Sequence, residues 1–145
     1  MKLLLMISAL LEGILGVGLL IVPSVAVTQL LGVPLDTPAG LVAGRIAGAA
    51  LIAIAIACWQ ARNGERGSAT TGVVEAMLFY NLAAMLVLAY AGIRLELRSP
   101  LLWPAILLHA GLGVWCLLTL WFTRRRLLKA AVDQADSQVR STGSQ

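Results

Sequence analysis

The stretch "LVAGRIAGAALIAIAIACW", residues 41–59, is apolar or glycine at every position but one, Arg45. A helix rises ~1.5 Å per residue, so about 20 such residues cross a hydrocarbon core ~30 Å thick. The run extends to 40–61 and reads as a transmembrane helix. Three further stretches share its length and character, at 3–22, 72–93 and 100–123. Short connections force consecutive helices to run antiparallel. The expected fold is therefore all-α: a polytopic membrane protein whose residues 1–123 form an up-and-down bundle of four transmembrane helices. A basic tail, 124–145, follows.

Composition agrees. Of the 145 residues 59% are hydrophobic and 12% charged, against about a quarter charged in a soluble domain. The net charge of +4 raises the question of nucleic acid, and the placement of the basic residues answers it. Lys2, Arg62, Arg66, Arg124, Arg125, Arg126, Lys129 and Arg140 lie on the face shared by both termini, while Arg94 and Arg98 lie opposite. By the positive-inside rule this bias is a topology signal, placing both termini in the cytoplasm of a cell whose inner membrane the chain crosses four times. Membrane lipids are then the expected partners, not nucleic acid, and the dense cluster Arg124, Arg125, Arg126 and Lys129 fits contact with anionic headgroups. The amino end has a second reading, a signal peptide cleaved after the small residues at Ser24 and Ala26. Glu12 in mid-run and the length of the apolar stretch argue against it.

The boundaries carry ordinary helix chemistry. Thr37-Pro38 and Ser99-Pro100 each offer a capping hydroxyl followed by proline at the first helical position, marking the starts of the second and fourth helices. Gly64, Gly67, Ser68, Thr70 and Thr71 form a flexible connection, after which Glu75 suits the positive end of the third helix or pairs with Arg62 or Arg66. Pro23 ends the first helix or kinks it before a last turn reaching Leu31. Trp103 and Tyr90 fall at one predicted interface, Trp59 and Trp121 at the other. Gly40, Gly44 and Gly48 line up a ridge without side chains, for packing inside the bundle or against a second copy. In the tail Leu128, Ala131, Val132 and Ala135 continue a weakly amphipathic helix before residues 141–145 fray. Cys58 and Cys116 read as small core residues, with no second pair for a zinc site.

Four polar residues interrupt the spans, one in each. Measured from the predicted cytoplasmic boundary, Glu12 and Asn81 fall near ~13 Å, His109 near ~18 Å and Arg45 near ~22 Å. Small neighbours on their own faces turn them toward one another. A charge at mid-bilayer costs at least roughly 2.5 kcal/mol, so Arg45 needs a partner, and Glu12, one short loop away, is the expected one. Two accounts follow. In one, Arg45 holds an anionic or carbonyl-bearing ligand, Glu12 and His109 exchange protons, and Tyr80 and Asn81 orient by hydrogen bonds. In the other, Glu12 and Arg45 form a buried ion pair that sets helix register.

The plan of "GRIAG" in the second helix, "FYN" in the third and "WPAILLH" in the fourth resembles small uncharacterised four-helix membrane proteins of bacteria, DoxX-like in layout, over residues 3–123. The resemblance implies a four-helix bundle and association with redox or quinone-linked partners, and it transfers no catalytic residue. The function classes are thus a bundle binding or transporting a small amphiphile, quinone, lipid or proton, and a structural or accessory subunit of a larger membrane complex or homo-oligomer. An enzyme lacks support, since no nucleophile, metal-ligand set or cofactor motif accompanies the acid and the histidine.

Overall fold

The computed structural model describes residues 1–64 and 68–142, all in helices or their connections. Five helices follow one another: α1 Lys2–Ile21, α2 Pro23–Leu31, α3 Pro38–Ala61, α4 Ser68–Ile93 and α5 Leu102–Thr142. Four contain spans long and apolar enough to cross a membrane, at Lys2–Ile21, Pro38–Ala61, Ala69–Ile93 and Leu102–Ala135. The chain is an all-helical multi-pass membrane protein.

The spans pack as two hairpins. The closest helix pairings are α1 on α3 and α4 on α5, and backbones approach far less across the pairs. Glycine makes the first pairing possible. A Cβ on Gly16 would meet the Gly48 carbonyl oxygen at 2.9 Å, and one on Gly48 would meet the Leu20 amide nitrogen at 2.6 Å and the Gly16 carbonyl oxygen at 2.7 Å. Gly44 faces Leu35 and Pro23 in the same seam, and Gly40 abuts the capping hydroxyl of Thr37. The glycine ridge is thus consumed within the chain. Between the hairpins lies a buried core of Leu4, Leu5, Ala9, Cys58, Val74, Met77, Leu112, Cys116 and Leu120. It fills the half of the bundle nearer the termini. Both cysteines are free and buried there. Large apolar side chains such as Ile14, Phe79, Leu86 and Leu107 cover the outside, as an acyl-chain solvent requires.

Several boundaries differ from expectation. At Pro23 the first helix ends as expected, α1 stopping at Ile21, and the stretch that reaches Leu31 is a separate nine-residue helix, α2, with Pro23 as its first residue. Thr37 caps α3 as expected, accepting from the Gly40 amide at 3.1 Å. The expected Ser99 cap is not formed: Ser99 Oγ accepts from Leu101 N at 3.2 Å within a turn that also holds Pro100, and α5 starts only at Leu102. Glu75 lies two turns into α4 and pairs with Arg124 at 3.3 Å, not with Arg62, whose guanidinium stacks 3.6 Å over the Trp59 ring. Arg66, Gly67 and residues 143–145 lie outside the described residues. The tail is more regular than expected, with α5 helical through Thr142.

α2 ties the hairpins together at the end away from the termini. Its C-cap, Gly32, is left-handed at φ 81°, and a Cβ there would fall on the Arg98 carbonyl oxygen. Beside it Ser99 Oγ donates to the Gln29 carbonyl oxygen. Gly32→Ala is expected to cost about 1–2 kcal/mol from the left-handed backbone alone. Faster proteolysis at 24–37 at unchanged helicity is the measurement.

Candidate functional site

α4 places two polar residues side by side, and the ~100° turn between neighbours in a helix sends them to different partners. Tyr80 points to the first hairpin, where its hydroxyl donates to Glu12 Oε2 of α1 at 2.9 Å. Asn81 points within its own hairpin, where its Oδ1 lies 2.9 Å from His109 Nδ1 of α5. The rings of Tyr80 and His109 meet edge to face with centroids 5.7 Å apart. Four of the five expected site residues therefore converge: Glu12, Tyr80, Asn81 and His109. Glu12 is 2% exposed, Asn81 0% and His109 8%. Gly113, one turn beyond His109, lies against Asn81, and a Cβ there would meet the Asn81 Cβ at an ordinary 3.8 Å.

The hydrogen bonds set the histidine tautomer. Asn81 Nδ2 donates to the Met77 carbonyl oxygen at 2.8 Å, so Oδ1 is the atom facing His109 and accepts only from a protonated Nδ1. In the neutral ring Nε2 then carries the lone pair. Ser8, one turn before Glu12 on α1, is fully buried, and its hydroxyl has no hydrogen-bond partner among the described residues. Thr28, Thr119 and Thr123 instead donate to carbonyls four residues back.

Arg45 is the exception. It is exposed on the outer face of α3, and no ion pair joins it to Glu12. The expected Glu12–Arg45 neutralisation is replaced by the Tyr80 hydrogen bond. The reason is rotational: Gly44, Gly48, Leu51, Ala55 and Cys58 form the buried face of α3, and the residue after Gly44 is turned ~100° away from it.

A groove of about 230 Å³ opens on the membrane face of the α4–α5 hairpin, with Leu82, Met85, Gly113, Leu117 and His109 among its walls. An apolar group fits there beside the polar cluster. Among the described residues no three His, Cys, Asp or Glu side chains lie together as a metal site. In the basic cluster, Arg124 is engaged by Glu75 and Arg125 lies 4.5 Å over the Trp121 ring.

What sequence reasoning missed is the pairing of Tyr80 with Glu12. The signal was present in "FYN", since two adjacent polar residues in an apolar helix must face different neighbours. Comparison of the chain with protein-family models, curated proteins and solved structures finds no match.

Proposed function

We propose that this membrane bundle takes up a proton at Glu12 and binds a small amphiphile, a quinone or a lipid, against the same polar cluster. The observation that carries this reading is a carboxyl 2% exposed, in mid-span, held by a tyrosine hydroxyl and paired with no cation among the described residues. In so apolar a place a carboxyl accepts a proton or a cationic group, because an unpaired charge there is strongly disfavoured. Intramembrane ionisable groups of this kind mark proton relays and ligand sites. The groove beside His109 supplies room for the apolar part of the ligand. The charge bias between the faces supports an orientation with both termini in the cytoplasm.

Two measurements test it. Dicyclohexylcarbodiimide attacks protonated carboxyls in apolar surroundings, so in proteoliposomes it is expected to modify Glu12, and faster in Tyr80→Phe, which frees Oε2. Loss of that hydrogen bond is expected to cost about 0.6–1.7 kcal/mol of stability, the range found for side-chain bonds within membranes. Native mass spectrometry from mild detergent is expected to show an amphiphile on the wild type that His109→Leu loses. An unreactive Glu12 overturns the proton step, and a bare wild type overturns the ligand.

A second reading has its own observation: the Tyr80–Glu12 bond joins hairpins whose backbones otherwise seldom meet. On that reading the cluster is a clamp in a structural or accessory subunit. Glu12→Gln keeps an acceptor for Tyr80, so a pure clamp tolerates it with unchanged stability and no bound amphiphile at any stage.

A further inference from the structure

Arg45 leaves a permanent positive charge on the outer face of α3. It lies seven residues after Pro38, the first residue of the helix, hence ~10 Å along the span. Around it on that face Val42, Ile46 and Ala49 are likewise exposed. A guanidinium among acyl chains must find an anion, because its cost there is several kcal/mol. No carboxyl among the described residues pairs with it: Glu12 is buried and bound to Tyr80, Glu75 is paired with Arg124, and Asp36 and Glu96, in the connections at the α2 end, form no ion pair with it.

Helix geometry supplies the direction. Each Cα–Cβ bond tilts toward the helix N-terminus, and the N-terminus of α3 is the near membrane surface. The side chain of Arg45 therefore extends toward the headgroups of the leaflet at the α2 end, its methylenes lying on the helix and its charge rising to the interface. The bilayer supplies an anion at that level, the lipid phosphate. Guanidinium matches two phosphate oxygens with parallel N–H bonds, which an ammonium does not.

We propose that Arg45 is a binding site for the phosphate of a phospholipid in the leaflet at the α2 end, held on the outer surface of α3 and separate from the Glu12–His109 cluster. The test is native mass spectrometry of the full chain titrated with phosphatidylglycerol or with diacylglycerol, which has the same chains and no phosphate. The background variant Arg124→Gln/Arg125→Gln/Arg126→Gln removes the basic cluster beyond the spans. In that background one phosphatidylglycerol is expected to stay bound, with diacylglycerol failing to replace it. Adding Arg45→Gln is expected to weaken this lipid on the order of tenfold or more, the equivalent of one charge-assisted hydrogen-bonded contact. Arg45→Lys, which keeps the charge and loses the fork, is expected to fall between. Inorganic phosphate that competes as well as the lipid overturns a lipid site. So does equal retention by Arg45→Gln, and so does a wild type whose Arg45 crosslinks to a carboxyl of another protein and holds no lipid. Because Arg45 is exposed, an unchanged melting profile of Arg45→Gln distinguishes lost binding from lost fold.

Discussion

Gly48→Val separates α1 from α3 and is expected to remove about 3 kcal/mol or more of stability, at the upper end of what overpacking costs. The atoms an added Cβ would meet are all backbone: the Leu20 amide nitrogen, the Gly16 carbonyl oxygen and the Leu19 carbonyl carbon, the last at 3.0 Å. Backbone has no rotamer with which to yield, so the whole of α1 must move. In membranes close approach of this kind is itself the main attraction between helices, since lipid tails compete equally for apolar side chains. A displaced α1 therefore loses its packing rather than exchanging it. It also carries Glu12 away from Tyr80. Unfolding by titration with a denaturing detergent in mixed micelles measures the effect. Gly72→Ala and Gly111→Ala are the internal controls, because an added Cβ at either meets nothing within 4 Å. They are expected to be neutral or to stabilise by about 0.5–1 kcal/mol through the ordinary advantage of alanine in a helix. If Gly48→Val behaves like these two, the α1–α3 seam is not where the structure places it.

Asn81→Leu is expected to cost about 2–3 kcal/mol by the same measurement. Part is the lost hydrogen bond to His109, which within membranes is worth at most about 1.7 kcal/mol. The rest is the protonated Nδ1 left buried without an acceptor, a penalty of about 1–3 kcal/mol. The two parts separate in a double-mutant cycle. His109→Leu removes the orphan, so the double variant Asn81→Leu/His109→Leu is expected to be more stable than Asn81→Leu alone. Strict additivity of the two single changes would mean that the 2.9 Å contact between Asn81 and His109 contributes no coupling, and the cluster would reduce to separate polar residues.

Much of this architecture was legible in the chain. Length and hydropathy located the four spans, and Thr37-Pro38 located the start of α3, because both depend on local chemistry that tertiary contacts leave intact. Depth along each helix was legible too: it put Glu12 and Asn81 at one height and His109 only ~5 Å beyond. Rotation about the helix axis was harder. Composition around Arg45 is small on several sides, and an arginine in an apolar run was assigned to the nearest carboxyl. The glycine ridge held the missing information: if Gly44 and Gly48 turn inward, the residue after Gly44 is rotated ~100° out of that face. Pro23 was ambiguous for a different reason. A proline ends one helix and opens the next with equal ease, and only the docking of Gly32 on Arg98 decides that α2 is a helix in its own right. Glu75 escaped because its partner, Arg124, is 49 positions away on a helix whose rotation was unknown.

α5 runs unbroken for 41 residues, ~60 Å of rod, of which roughly half is needed to cross the hydrocarbon. His109 is two turns in, and the helix continues to Thr142, past the end of the candidate span at Ala135. The molecule thus has a lever whose short arm bears on the Asn81 contact and whose long arm is open to grip. Whatever engages the far half therefore meets the same backbone ladder that holds His109, with no loop between them.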